Sequence, residues 1–148
     1  MQSLTMKICL LLSVALLRFA NSSAQDAKFS CPLTDGEIVN YHYSSEVAAK
    51  PGATFQSKSS DVYNIAEGIV KSIDTISGLI NVYVESGDYF FSFHNFERVE
   101  VKKGQTISLG FRIGALKKGE KLFLIMSFKD ELVDPSKYLK CKSVDVQL

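Results

Sequence analysis

Apolar and polar residues alternate with a period of two along much of this chain. Leu79 to Ser86 reads LINVYVES, and Asp88 to Phe93 reads DYFFSF. Side chains of a strand point to opposite faces in turn, so such runs predict strands with one face buried. The pair is joined across Ser86-Gly87, which predicts a hairpin. Glu37 to Tyr43 reads as an earlier strand entered through the turn Thr34-Asp35-Gly36. Val62 to Ile65 and Ile69 to Ile73 read as two short strands around Ala66-Glu67-Gly68. Lys121 to Phe128 (KLFLIMSF) is a continuous apolar run, which predicts a central strand buried on both faces. Ser44 to Ser60 is polar with Pro51-Gly52 in its middle, and reads as one long loop. Asp134 to Leu139 reads as a single helical turn. No window sustains a 3.6-residue period. About eight short strands with glycine turns predict a single all-β domain.

Ser92 to Gly114 (SFHNFERVEVKKGQTISLGFRIG) carries the densest turn signals. Phe93-His94-Asn95-Phe96 reads as the end of a strand, and Val99-Glu100-Val101 as a short alternating run. Gly104 and Gly110 are placed at two tight turns, where positive φ favours glycine. Together they predict a compact hairpin corner.

The first 24 residues change the picture of location. Lys7 precedes an apolar run from Ile8 to Leu17, and Ser22-Ser23-Ala24 offers small residues for cleavage. The run is half the roughly 20 residues that span a bilayer, so a secretory signal peptide over residues 1–24 is expected, with a domain over 25–148. The expected location is exported, in a periplasm or outside the cell, with no membrane insertion after cleavage. Without Lys7 and Arg18 the domain holds 15 basic residues against 16 acidic, a net charge of −1. That balance supplies no basic surface for nucleic acid. Lys102-Lys103 and Lys117-Lys118 read as solvated turn residues. The domain keeps Cys31 and Cys141. In an exported chain a disulfide between them is expected, with two free buried thiols as the alternative.

Five segments, taken in order, resemble the lysostaphin-like (LytM-type) zinc metallopeptidases, which cleave peptidoglycan cross-links. Pro32 to Val39 (PLTDGEIV) is similar to the family's opening strand, and Val62 to Val70 (VYNIAEGIV) to its next hairpin. Phe93-His94-Asn95-Phe96 is similar to its Tyr-x-His-x-Leu strand, Val101 to Gly114 to its glycine corner, and Val133 to Leu139 (VDPSKYL) to its closing turn. The resemblance spans residues 32–139. It implies the duplicated hybrid motif, a barrel-sandwich-like β-fold.

The resemblance also says where zinc ligands should stand. Active members hold zinc through an early His-x-x-x-Asp pair and a late His-x-His, leaving the fourth position open for a water. The early pair would fall about a dozen residues before Val62, where this chain reads AAKPGATF. The late pair would fall near Leu122-Phe123-Leu124, in a run without His, Asp, Glu or Cys. Beyond residue 24 the only histidines are His42 and His94. His94 matches the family's non-ligand pocket histidine; ordinary alternatives are a strand-end polar residue or a satisfied buried one. His42, with Tyr41 and Tyr43, stands where the family has aromatic-Gly-basic; a solvent-facing strand residue is its ordinary reading. The expectation is therefore a non-catalytic peptidase-like protein, a pseudoenzyme with no cofactor and no metal. It would use His94, His42 and Tyr43 to bind peptidoglycan or an envelope protein partner. The competing expectations are a zinc endopeptidase rearranged around His42 and His94, and a purely structural envelope module whose groove is filled by Phe55, Tyr43 and the 44–60 loop.

Overall fold

A computed structural model describes residues 29–42 and 52–143, with the side chains of residues 40–42 and 143 outside that set. The expected signal peptide and Tyr43 lie outside the described residues. The strands are β1 (Phe29–Ser30), β2 (Glu37–His42), β3 (Gly52–Gln56), β4 (Asp61–Tyr63), β5 (Gly68–Ile76), β6 (Leu79–Ser86) and β7 (Tyr89–Val99). They continue with β8 (Thr106–Ile107), β9 (Arg112–Leu116), β10 (Leu122–Phe128), β11 (Glu131–Val133), β12 (Leu139–Lys140) and β13 (Lys142–Ser143). The only helical turn among the described residues is 3-10, Pro135–Lys137, capped by the Asp134 carboxylate, which accepts from the Ser136 N–H at 3.0 Å. No helix among the described residues is long and apolar enough to cross a membrane.

Eleven strands form one sheet whose main path runs β13-β2-β3-β10-β7-β6-β5-β8, with β4-β9 branching from β7 and β11 pairing β10. The architecture is the all-β duplicated hybrid motif. The alternation that predicts the hairpins also builds the core. Val82 and Val84 of β6, Phe91 and Phe93 of β7, and Leu122, Leu124 and Met126 of β10 turn to one side and are completely buried. Each such side chain contributes roughly 1.5–3 kcal/mol by leaving water.

Three expectations need correction. The 44–60 segment is not all loop: Gly52–Gln56 is β3, with Ala53 and Phe55 fully buried between β2 and β10. Phe55 therefore belongs to the core. The apolar run at β10 is central, paired with β3, β7 and β11, but only one face is fully buried; Phe123 and Ile125 lie half-buried on the other. Continuous hydrophobicity misled here because the second face of this strand carries an aromatic and an aliphatic residue that are only half-buried. Finally, β7 does not end at Phe96. It passes through a bulge at Asn95, whose φ is 81°, and runs to Val99.

That bulge is held from outside the strand. The Asn95 amide donates to the Lys121 carbonyl at 2.8 Å, and the Asn95 carbonyl accepts from the Lys117 N–H. Asparagine tolerates the left-handed region better than most residues. Before the bulge β7 pairs with β10 and β6; after Phe96, where its last β6 partner and its first β9 partner coincide, it pairs with β9 alone.

The corner of residues 101–114 forms as expected. Gly104 and Gly110 sit in turns at φ 85° and 79°. Asn64 fastens the corner: its buried side-chain amide donates to the carbonyls of Ala66, Ile107 and Ser108. Arg112 of β9 pairs with Asp61 of β4 at 2.7 Å and with Glu100. Cys31 and Cys141 form a disulfide. It continues the parallel β1–β12 register, in which Phe29 faces Leu139 and Ser30 faces Lys140.

Candidate functional site

The sheet face opposite the core is where the site residues gather. Strand alternation assigns it: with Val82, Val84, Phe91, Phe93, Leu122 and Leu124 inward, Tyr83, Phe90, Ser92, His94, Phe123 and Ile125 point the other way. The ladder sets their order across the sheet. Phe123 lies opposite His94 on one side and Thr54 on the other, while Ser92 lies between Ile125 and Tyr83. Asn81 stands opposite the bulge that holds His94 and Asn95.

Ring contacts tie this face together. The His94 ring lies 5.7 Å from that of Phe123 and 6.0 Å edge-on from that of Tyr83. Tyr83 in turn stacks with Phe90 at 6.2 Å. Such edge and offset arrangements are favourable for aromatic pairs, and they fix ring orientation. At the rim the Asp74 carboxylate accepts from the Asn81 amide at 2.8 Å and from the Tyr83 hydroxyl at 2.9 Å. The site is thus a row of rings, the buried His94 between half-buried Phe123 and Tyr83, ending in a carboxylate held by two neutral donors. Its rings offer apolar contact and its edge offers a negative charge.

Tyr83 is chemically marked. Burial pushes its phenol above the ordinary tyrosine range, and the hydrogen bond to Asp74 and the Asp74 charge push the same way. The raised value means that the folded state keeps this proton at pH values where an unfolded tyrosine has lost it. Its contribution to stability is present below the ordinary tyrosine value and is lost as pH rises through the raised one. In absorbance titration at 295 nm, one of the six tyrosines should ionise later than an ordinary tyrosine. Tyr83→Phe should remove that late step and Asp74→Asn should move it down. A late step that survives Tyr83→Phe would assign it elsewhere.

The sequence-predicted site residues are brought together only in part. His94 is at the centre of the face. His42 lies on β2, opposite Gly52 of β3, with β3 and β10 between it and β7. At about 4.8 Å per strand, three spacings put the two strands roughly 14 Å apart. The Phe123 ring also reaches over β3: a Cβ on Gly52 would meet its Cζ at 2.7 Å. Phe123 thus occupies the space above Gly52. Among the described residues no group of three or more His, Cys, Asp or Glu side chains is placed to hold a metal.

Sequence reasoning missed Tyr83, Asp74 and Asn81 as members of this face, while Phe123 stands at the expected late-ligand position. A signal for the three was present. The Ser77-Gly78 turn sets the β5–β6 register, and that register places Asp74 opposite Asn81 and Ser72 opposite Tyr83.

No family model matches this chain, and no curated protein matches it. Solved structures do match. Helicobacter pylori Csd3 is 16% identical with a TM-score of 0.64, over 77% of this chain and 33% of that one. A chain of the SpoIIQ–SpoIIIAH pore-forming complex is 16% identical with a TM-score of 0.63, over 77% of this chain and 92% of that one. A Pseudomonas aeruginosa protein classed as peptidase M23 is 21% identical with a TM-score of 0.59, over 90% of this chain and 59% of that one. The chain therefore spans about a third of Csd3 and just under three fifths of the Pseudomonas protein. At these identities the likeness concerns the fold, and the fold of this chain is the all-β fold of the M23-type peptidase domains.

Proposed function

We propose that this protein is an exported, non-catalytic member of the peptidase fold. In this reading it recognises peptidoglycan, or a protein partner of the cell envelope, through the face centred on His94. One observation carries the reading. The strand on which the late zinc ligands would fall presents Phe123 and Ile125 to that face, and Thr54 stands opposite Phe123. None of the three offers an imidazole, carboxylate or thiolate, the side-chain groups that bind zinc. Among the described residues these three do not fit a zinc ion, which supports the non-catalytic reading. What the face does fit is binding: the half-buried rings of Phe123 and Tyr83 supply apolar contact, and Asp74 supplies a charge at the rim.

The reading in which His42 and His94 share a rearranged zinc site is less well supported, because two strands separate theirs and the Phe123 ring lies over the first of them, β3. The SpoIIQ–SpoIIIAH neighbour, being part of a complex, makes a protein partner compatible with the fold.

Co-sedimentation with purified sacculi, in parallel with capture of partners from envelope extract, tests the proposal. The protein should be retained in at least one arm, and the double variant Phe123→Ala, Tyr83→Ala should lose most of that retention while keeping its thermal transition. Equal retention of the double variant would mean that this face does not bind. No retention in either arm would leave the purely structural reading.

A further inference from the structure

The β5 strand has nine residues, but β8 covers only its start. Gly68 and Ile69 pair with Ile107 and Thr106, and Val70 exchanges hydrogen bonds with Gly104 and Gln105. From Ser72 to Ile76 the strand pairs with β6 alone among the described residues. The geometry shows which backbone groups are left over. A two-residue turn, Ser77-Gly78, closes the β5–β6 hairpin, so Ile76 and Leu79 are its hydrogen-bonded closing pair. Counting back by twos, Asp74 also bonds inward to β6. The N–H and C=O groups of Ile73 and Thr75 therefore point outward, past the edge.

Sheet edges are ordinarily guarded by charged side chains, prolines or bulges. This edge has a bulge between Val70 and Ser72, before the uncovered part begins. Its two charged residues are both drawn back over the sheet. Lys71 pairs with Glu85 of β6 at 3.5 Å, and Asp74 is held by Asn81 and Tyr83. What remains at the edge is Ser72, Ile73, Thr75 and Ile76, the last 53% exposed.

We propose that the Ser72–Ile76 edge is a docking site for an extended peptide segment of another protein, which joins the sheet as a further strand. The outward groups of Ile73 and Thr75 demand a strand-like occupant, because only a second backbone matches their spacing. The occupant carries a basic side chain opposite Asp74, on the face shared with Tyr83. Asp74 has two neutral donors and no cationic partner among the described residues, so a cation supplies the missing complement. Beside that residue, the occupant's neighbours on the other face are apolar, because they extend the row of half-buried Ile73. A second copy of this chain fits less well. Self-pairing centred on Asp74 would set one carboxylate directly against another. Docking at this strand edge is independent of whether the protein binds sacculi.

The test is amide hydrogen exchange by NMR on the disulfide-bonded protein, with the synthetic peptide acetyl-Ser-Thr-Val-Lys-Val-Thr-Ser-amide as probe. At saturating peptide the Ile73 and Thr75 amides should exchange at least roughly tenfold more slowly. The same peptide with Glu in place of Lys should bind about fivefold more weakly at low salt. Thr75→Pro removes one outward donor at an edge position where proline is tolerated, and should abolish the protection. If that variant fails to fold, Asp74→Lys serves instead and should reverse the preference between the two peptides. Unchanged exchange at millimolar peptide would overturn the proposal, as would equal binding of the two peptides. A dimer already protecting Ile73 and Thr75 without peptide would show that a second copy is the occupant, and would overturn it too.

Discussion

Replacing both Cys31 and Cys141 with serine should lower the stability of this domain by about 4–5 kcal/mol. The bond joins residues separated by 110 positions. In the chain-entropy account a loop of that size restricts the unfolded chain by about this amount. For a domain of this length the loss should appear as a fall in Tm on the order of 15–20 °C. The structure adds a local reason for a large effect. The bond sits where β1 and β12, each two residues long, run side by side, and it anchors strands too short to hold themselves. Gly36 packs against it so closely that a Cβ there would meet the Cys31 sulfur at 2.7 Å. Thermal unfolding with and without reductant measures the effect; a fall of less than about 5 °C would show that packing, not the bond, holds the ends together.

Gly114→Ala should be comparably damaging for a different reason. Gly114 lies in β9 between Val62 of β4 and Val99 of β7, next to the register shift of the β4–β9 ladder. A Cβ would stand 2.2 Å from the Arg98 carbonyl oxygen and 2.9 Å from the Val99 Cα. Both are backbone atoms, so no side chain can swing aside to make room. The substitution must push β7 and β9 apart at the junction that closes the corner. A loss of at least about 3 kcal/mol is expected, at the upper end of overpacking effects. A variant whose denaturant midpoint matches the parent would mean that β9 shifts freely, contrary to the packing of this junction.

Much of this fold was legible because short-range signals carry it. The alternation in Leu79–Ser86 gives β6 with its observed bounds, and glycine spacing gives the corner turns at Gly104 and Gly110. The strand β3 was illegible for a physical reason. Only Ala53 and Phe55 are apolar in its five residues, and its strand character comes from β2 and β10, which are distant in sequence or lie across a long connection. The bulge at Asn95 was hidden likewise, because the contacts that hold it come from Lys117 and Lys121. In the candidate site His94 stood out as a titratable residue in a motif. Tyr83 and Asp74 did not, because each resembles an ordinary strand residue until the ladder places them together.

The central claim is that the face around His94 binds and does not hydrolyse. Elemental analysis of protein purified without chelator, with zinc measured per chain, tests this most directly. Zinc should be well below one ion per chain, with no change in that content on His94→Ala. One zinc per chain, lost on His94→Ala together with any cleavage of purified peptidoglycan, would contradict the claim.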